Sequence, residues 1–287
     1  MELDRNLRIG IVGLGLMGGS YAQALSAKGF EVGAIDQREE SIEFALERGW
    51  IAHGKCEPDP AYIGGFDIVV FALYPRTFVE WIEANQSHLK PGALITDVTG
   101  IKGCVVYRIQ DMLRDDIEYI AAHPMAGRES SGIEFADGSI FDDANYIVTP
   151  TEANTEKAIA MCKALGETLG FKRIVELTPE KHDEMIAFLS QLTHCIAVSL
   201  MTCRDTTSLA EFTGDSFRDL TRIAKINDRM WSELFELNKE QLLAQMDLFS
   251  SAFSELREHI ANDETDEIRK IMRLSTSNRE AFDKTEA

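Results

Sequence analysis

Residues 7–36 read LRIGIVGLGLMGGSYAQALSAKGFEVGAID, and this stretch decides the fold. The apolar run at residues 7–12 has the length of a buried strand. A glycine-rich turn follows, residues 20–28 can continue as a helix, and a second short strand ends at Asp36. The order strand, turn, helix, strand is typical of the first unit of a parallel sheet that binds a dinucleotide.

The glycines of this turn have the spacing G-x-G-x-x-G, at Gly13, Gly15 and Gly18. Gly13 permits the tight turn, Gly15 lets the backbone approach a pyrophosphate, and Gly18 allows close packing of helix on strand. The helix N-terminus then offers N–H groups and a positive dipole end to that pyrophosphate. Leu16 and Met17 lie between the glycines and belong to the same predicted cofactor loop. The alternative is a glycine turn that binds no nucleotide.

Asp36 follows Gly18 by eighteen residues, where a carboxylate can accept hydrogen bonds from the adenosine ribose. The same carboxylate would repel a 2′-phosphate, so the predicted cofactor is NAD and not NADP. Arg38 tempers this prediction, because a nearby arginine can accept the phosphate.

Strand and helix patterns alternate up to residue 177, which predicts an α/β domain with a doubly wound, mostly parallel sheet. The sequence pattern changes at residues 178–180, where Thr178-Pro179-Glu180 is typical of a helix start. No convincing strand pattern follows. Long helices are expected from Glu180 to about Arg204 and from Arg229 to Ile260. The predicted domains are residues 1–177 and residues 178–287.

The 287 residues carry a net charge of −19, which argues against nucleic acid or an anionic membrane as a partner. The five cysteines have no metal-ligand spacing, so we expect reduced thiols, no metal site and a cytoplasmic location. We expect no signal peptide and no membrane-spanning segment.

The predicted C-terminal helices carry apolar stripes that one sheet domain cannot cover. We therefore expect this half to dimerise, although plain core packing accounts for many of the residues. The stripes contain Trp231, Leu234, Phe235, Leu242, Met246, Phe249 and Phe253.

A histidine that follows a predicted strand is the first candidate for chemistry. His123 begins the motif HPMAGRE and is expected at a strand end, facing the ligand crevice. Its imidazole can accept a hydroxyl proton near neutral pH, and Glu129 could orient or tune it. A structural role for a single histidine of this kind remains the alternative.

Two further polar pairs occur on predicted helices. Ser190 and His194 are four residues apart on an apolar helix, so they share a face and need a polar partner or a ligand. Arg218 and Arg222 have the same spacing, and in so acidic a chain an arginine suits a substrate carboxylate. We favour Arg222 for that role, with surface ion pairing as the alternative for at least one of the two.

Four motifs occur in one order along the chain. They are GLGLMGGS, HPMAGRE, SQLTH and FRDLTRIA followed by Trp231. In this combination the chain resembles the prephenate/arogenate dehydrogenases of tyrosine biosynthesis, from Leu7 to beyond Trp231. The glycine loop is shared with many dehydrogenases, whereas the three later motifs together are specific.

The resemblance implies a Rossmann domain, a helical dimerisation domain, a homodimer and NAD-dependent oxidative decarboxylation of prephenate, a small dicarboxylate. His123 matches the catalytic histidine and Glu129 a nearby acid. The matches on the substrate side are Ser190, His194, Arg222 and Trp231.

The chain departs from the family pattern after the fourth predicted strand. Gly100 stands where many relatives carry a serine, and either the adjacent Thr99 hydroxyl or a water is expected to replace that hydroxyl. Such departures leave arogenate, or both acids, open as substrates. A β-hydroxyacid dehydrogenase and a non-catalytic NAD-binding module are more remote alternatives. The lysine motif that is expected of a β-hydroxyacid dehydrogenase does not occur in this sequence.

Overall fold

The structure, a computed structural model, describes residues 3–128, 130–205 and 208–282. By their contacts, the residues up to Asn238 form one compact unit and those from Lys239 onward form a second. This division differs from the domain boundary at residues 177 and 178, which stays a prediction.

The strands in the described ranges are β1 (Arg8–Val12), β2 (Glu31–Ile35), β3 (His53–Lys55), β4 (Ile68–Phe71), β5 (Leu94–Asp97), β6 (Glu118–Tyr119), β7 (Ala121–Met125), β8 (Asn145–Thr149) and β9 (Arg173–Glu176). The α-helices in the same ranges are α1 (Leu16–Ala27), α2 (Glu39–Glu47), α3 (Pro60–Ile63), α4 (Pro75–Asn85), α5 (Gly103–Met112), α6 (Glu156–Leu169), α7 (Pro179–Ile186), α8 (Thr193–Thr202), α9 (Asp215–Thr221), α10 (Asp228–Leu237), α11 (Lys239–Ala261) and α12 (Thr265–Glu280).

The first six strands form one parallel sheet in the order β3-β2-β1-β4-β5-β6. The strand order reverses between β1 and β4, and in such sheets ligands bind at the carboxyl ends of the strands beside that reversal. Val12, Phe71 and Asp97 lie level with one another at those ends. The predicted doubly wound parallel sheet is confirmed.

Helices cover both faces of this sheet because its central strands are apolar on both faces. Ile68 and Val70 belong to a core cluster with residues of α1 and α6, whereas Val69 and Phe71 belong to a second cluster with residues of α4 and α5. Alternate residues of one strand thus serve opposite layers, as the two-residue period of a strand requires.

A second sheet has the order β7-β8-β9, and it places His123 inside a strand, whereas the sequence predicted His123 at a strand end. β6 ends at Tyr119, and after Ile120 the chain enters β7, which pairs antiparallel with β8. Pro124 lies inside β7, opposite Tyr146. A proline is tolerated there because β7 is an edge strand and one side of it needs no ladder hydrogen bonds.

Residues 179–202 form one helical stretch, as predicted, but its middle part, Ala187–Leu192, is π-helical. By length and composition this stretch could cross a membrane, although only 28% of its most apolar window is buried. It also carries buried polar groups, His182, Asp183 and Gln191, that hydrogen-bond within the unit. These bonds are typical of a packing helix in a folded unit.

The single helix predicted from Arg229 to Ile260 is wrong, because the chain breaks at Asn238 between α10 and α11. Asn238 is buried, and its side-chain amide donates to Asp183 O at 3.0 Å and to Gln191 Oε1 at 2.8 Å. An amide fixed by two bonds stabilises this non-helical position, which the apolar pattern alone did not reveal.

The second unit consists of α11 and α12, which pack on one another. Between them Asp263 adopts a left-handed backbone conformation with φ of 57°. Several large apolar side chains of this unit are exposed. They are Leu243, Leu248, Phe249, Phe253, Ile260, Met272 and Leu274.

Candidate active site

The glycine loop between β1 and α1 has the geometry that a dinucleotide requires. Gly13 has φ of +94°, and a Cβ there would lie 2.5 Å from Ala72 O. A Cβ on Gly18 would lie 1.8 Å from Gly13 O, so helix and strand pack too closely for any side chain. A Cβ on Gly15 would meet nothing within 4 Å, which leaves open space at the N-terminus of α1. The loop therefore fits a pyrophosphate at Gly15.

Asp36, at the end of β2, closes the other side of this loop. Its Oδ2 accepts a hydrogen bond from Leu14 N at 2.6 Å, and its Oδ1 accepts one from Arg38 N at 2.8 Å. The Arg38 Nε lies 3.7 Å from the same Oδ1. Each carboxylate oxygen retains acceptor capacity for a ribose hydroxyl. Arg38 stays close enough to compete for that carboxylate.

His123 is the central residue of β7, whereas the sequence suggested that it follows a strand end. The difference arises because the chain changes sheets at Ile120, just before this strand. The imidazole is half-buried. A Cβ built on Gly100 would lie 3.9 Å from His123 Cε1 and 3.6 Å from Leu234 Cδ1, so Gly100 borders the imidazole.

The His123 imidazole is held by a chain of hydrogen bonds that ends at a helix N-terminus. His123 Nδ1 lies 2.9 Å from His182 Nε2, and His182 Nδ1 lies 2.8 Å from Asp183 Oδ1. The Asp183 carboxylate also accepts from Lys102 N at 2.8 Å and from Gly103 N at 2.7 Å, where α5 begins. A carboxylate in this position is stabilised by the helix dipole.

These contacts assign the tautomers of both histidines. The ionised Asp183 carboxylate can only accept, so His182 Nδ1 carries a proton and its Nε2 accepts. His123 Nδ1 must then donate to His182 Nε2. The unprotonated nitrogen of His123 is therefore Nε2, which has no hydrogen-bond partner among the described residues.

Burial lowers the pKa of His123 well below its usual 6.5, and the neighbouring His182 and Lys102 lower this pKa further. The pKa of His182 is also lowered, chiefly by burial, against the opposing effect of Asp183. Both imidazoles are therefore neutral at physiological pH. A neutral His123 can accept a proton.

Thr99 is 3% exposed, and its hydroxyl hydrogen-bonds inside the protein. The oxygen contacts Asp97 Oδ2 and Ile101 O and accepts from Lys102 Nζ at 3.2 Å. These contacts leave little capacity for a ligand, contrary to the expectation that this hydroxyl replaces the serine absent at Gly100. The buried position follows from the tight turn after β5 that closes on the Asp97 carboxylate.

Ser190 and His194 lie on one face of the helical stretch, as their spacing predicts. His194 Nδ1 donates to Ser190 O at 2.8 Å, so the backbone of Ser190 fixes this imidazole. The Trp231 indole of α10 stacks on His194 with ring centroids 3.7 Å apart and an angle of 30° between the planes. The two aromatic rings thus join α8 to α10.

The two arginines of the FRDLTRIA motif differ in their surroundings. Arg218 pairs with Asp215 at 2.5 Å and donates to Thr213 O at 3.1 Å, so it is bound within its own helix start. Arg222 is exposed in the turn Arg222–Ala224, and this turn packs against α8, which carries His194. The packing of this turn against α8 supports Arg222 as the candidate ligand for a carboxylate.

The sequence did not assign the residues that support these groups. Lys102, His182, Asp183, Gln191 and Asn238 are all buried and hydrogen-bonded at the site. His182 and Asp183 lie on α7, whose sequence PEKHDEMI is largely polar, so the residue types alone did not mark these two as buried. Glu129 lies outside the described residues.

Two family models match the chain in succession. Residues 21–176 match "Prephenate dehydrogenase, nucleotide-binding domain", and residues 178–274 match "Prephenate dehydrogenase, dimerization domain". Together they cover His123 and all the substrate-side candidates, and the first match begins after the glycine loop.

Individual relatives extend over most of the chain. A prephenate dehydrogenase of Bacillus subtilis is 28% identical over 95% of this chain and 75% of its own length. A cyclohexadienyl dehydrogenase of Zymomonas mobilis is 29% identical over 90% of each chain. The solved structure of prephenate dehydrogenase from A. aeolicus with hydroxyphenyl propionate and NAD+ superposes with a TM-score of 0.88 at 29% identity, over 99% of this chain and 100% of that one.

Proposed function

The chain belongs to the prephenate dehydrogenase family, and from this premise we propose that it oxidises prephenate with NAD. In this reaction the substrate C4–H leaves as hydride and the C4 hydroxyl loses its proton. The ring carboxylate then leaves as CO₂, its bonding electrons aromatise the ring to a phenolate, and return of a proton to that oxygen gives 4-hydroxyphenylpyruvate. One observation carries the proposal: the neutral His123 imidazole has Nδ1 held and Nε2 available at the carboxyl end of the sheet.

His123 supplies the base in this proposal. As the carbinol hydrogen departs, Nε2 accepts the hydroxyl proton, and the imidazolium ion that forms keeps its Nδ1–H bond to His182. Asp183 stabilises the positive charge through His182, since the three groups form one hydrogen-bonded chain. The proton transfer therefore needs no rearrangement of the protein groups.

The nucleotide-binding half supplies the hydride acceptor when NAD is bound. Gly15 and the N-terminus of α1 hold the pyrophosphate, with Leu16 and Met17 in the first turn. Asp36 accepts from the adenosine ribose and disfavours a 2′-phosphate. Arg38 lies beside this carboxylate, and its position sets how strictly NADP is excluded.

The helical segments hold the acid. Arg222 pairs with a substrate carboxylate, and His194, stacked on Trp231, forms the pocket wall with Ser190. Thr99 has a structural role at Asp97 in this proposal, since its hydroxyl is buried. The role proposed for Glu129, near the His123 imidazole, rests on the sequence motif alone.

Prephenate and arogenate differ only in the side chain of the substrate. Prephenate and arogenate share the ring, the hydroxyl and the ring carboxylate, so every group assigned above suits both. One relative is named a cyclohexadienyl dehydrogenase, which supports acceptance of both acids as the second candidate. We propose prephenate as the preferred acid.

We also propose a homodimer formed through residues 178–287, with residues 1–177 as the cofactor domain. The match of residues 178–274 to a dimerization domain supports it, as do the exposed phenylalanines of α11. A second copy would cover apolar surface that otherwise faces water.

The test is NADH formation with prephenate and with arogenate, each with NAD and with NADP. We expect turnover of prephenate with NAD, and no turnover of either acid would overturn the proposal. His123→Asn is the variant that tests the base, because asparagine keeps a polar side chain of similar reach. It should lower kcat by roughly 10²- to 10⁴-fold and leave the Kd for NAD unchanged.

A further inference from the structure

Lys102 is a fully buried lysine whose role the proposed reaction does not assign. Its side chain is 0% exposed, and its Nζ donates to Asp97 Oδ2 at 2.6 Å, to Ala122 O at 2.6 Å and to Thr99 Oγ1 at 3.2 Å. Three acceptors match the three protons of an ammonium ion. Burial lowers the pKa of Lys102, and the Asp97 carboxylate opposes this by favouring the charged form.

The ammonium ion holds the strand that carries the base. Ala122 directly precedes His123 in β7, which belongs to the second sheet. Lys102 binds the carbonyl of Ala122, and Asp97 Oδ1 accepts from Ala122 N at 3.3 Å. The ion pair therefore fixes the edge strand β7 against the end of β5 from both sides of one residue.

The main chain of Lys102 reaches the same imidazole by a second route. Its N–H donates to Asp183 Oδ1, the oxygen that also accepts from His182 Nδ1. His182 in turn contacts His123 Nδ1. The side chain of Lys102 thus supports the backbone next to His123, and the main-chain amide of Lys102 supports the His123 ring through Asp183 and His182.

We propose that Lys102 is a positioning residue for the oxidation, whose ammonium ion fixes β7 and whose positive charge keeps the His123 imidazole neutral until substrate binds. The inference rests on the proposed role of His123 as the base. A buried charge acts over several ångströms with little screening, so it opposes formation of an imidazolium ion. Without such a charge the pKa of His123 would lie higher, although burial and His182 would still lower it.

The groups around His123 explain the direction of the effect. His182 from α7 and Lys102 both lower the pKa of His123, in addition to burial. Asp183 and Asp97 both raise the pKa of His182, whereas Lys102 lowers it. Gly100, which borders the His123 ring, is uncharged.

The experiment titrates the imidazoles by NMR in protein labelled with ¹³C-histidine. The chain has six histidines, and the His123 signal is assigned by its loss in His123→Asn. Lys102→Met removes the charge but keeps the length of the side chain, and Lys102→Arg keeps the charge. We expect the pKa of His123 to rise by about one pH unit in Lys102→Met and to change little in Lys102→Arg.

Kinetics give a second readout. The acidic limb of kcat/KM should move to higher pH in Lys102→Met, and kcat at the optimum should fall about tenfold with KM for NAD unchanged. A purely structural lysine would lower the melting temperature without moving this limb. An unchanged pKa of His123 in folded Lys102→Met would overturn the proposal.

If Lys102→Met does not fold, Lys102→Gln removes the positive charge and keeps a donor that can hydrogen-bond to Asp97 and to Ala122 O. The pKa of His123 should still rise, and its constancy there would overturn the proposal. The titration needs no substrate. A wild-type enzyme that turns over neither acid would therefore refute the proposed function and leave this inference to be decided on its own.

Discussion

His182 shows how a single buried side chain can determine which atom does chemistry. It is 0% exposed, yet both of its ring nitrogens have partners, one on His123 and one on Asp183. Because the Asp183 carboxylate, at the end of this series of hydrogen bonds, cannot donate, the position of each proton in the series is assigned. The consequence is a base whose free lone pair lies on Nε2.

The variant His182→Phe tests this dependence, because phenylalanine fills the space but makes no hydrogen bond. We expect kcat to fall about ten- to a hundredfold, since His123 loses the hydrogen bond that orients its ring. KM for both substrates should stay near the wild-type value, as measured by steady-state kinetics. His182→Gln, which can still accept a hydrogen bond, should recover part of the rate; equal losses in both variants would contradict the role.

Arg222 and Arg218 form a matched pair for testing the carboxylate site. Arg222→Ala should raise KM for the acid about tenfold or more, because a charge-assisted guanidinium–carboxylate pair is lost. Arg218→Ala removes a side chain already bound to Asp215 and should leave KM near the wild-type value. The reverse result in the same kinetic assay would transfer the role to Arg218.

Asp36 determines cofactor preference in the proposed function, and its amide analogue separates charge from structure. Asp36→Asn keeps an oxygen that can accept from Leu14 N, so the glycine loop should stay folded. The preference for NAD over NADP in kcat/KM should fall about tenfold or more, because the repulsive charge is gone. Adding Arg38→Gln should abolish the gained NADP activity; no change in preference in Asp36→Asn would rule out the assigned role.

At the scale of elements, two glycines at the start of α1 have different surroundings. Gly15 faces open space, whereas a Cβ on Gly19 would lie 2.7 Å from Ala136 Cβ. The segment after β7 is also bound to α1, with Asp137 N donating to Ser20 Oγ at 3.0 Å. Helix α1, which begins at the proposed pyrophosphate site, therefore also supports the chain that follows β7.

Two alanine substitutions should separate these functions of α1. Gly19→Ala forces the turn Ile133–Phe135 outward and should lower the free energy of unfolding by about 1–3 kcal/mol. Gly15→Ala places a methyl group in open space, so it should leave stability almost unchanged and weaken NAD binding. Thermal unfolding and fluorescence titration with NAD measure the two effects, and a stable Gly19→Ala protein would refute the packing argument.

For the whole molecule, the proposed dimer predicts which surface residues affect assembly. Phe253 on α11 is 62% exposed within one chain, so Phe253→Glu should weaken the dimer by placing a charge in an apolar interface. Leu46→Glu, on α2 of the other unit and 42% exposed, is the matched control and should leave the dimer intact. Sedimentation velocity distinguishes the two, and a dimer that survives Phe253→Glu at all concentrations would place the interface elsewhere.

The sequence by itself determined the features that depend on neighbouring residues. The positive φ of Gly13, the apolar runs of β1 and β4, and the helix start at Thr178 are local, because steric freedom, periodicity and capping act over a few residues. The sequence therefore predicted the parallel sheet, the nucleotide loop and the helical C-terminal half.

Only the tertiary structure decided which side chains support the base. His123 and His182 are 59 residues apart and Lys102 and Asp183 are 81 apart, so no local pattern relates them. The same holds for Thr99, whose hydroxyl looked available in the sequence but is buried among its neighbours. Hydrogen bonds in a core form where distant strands and helices cross, and the partner of a buried polar group is set by that crossing.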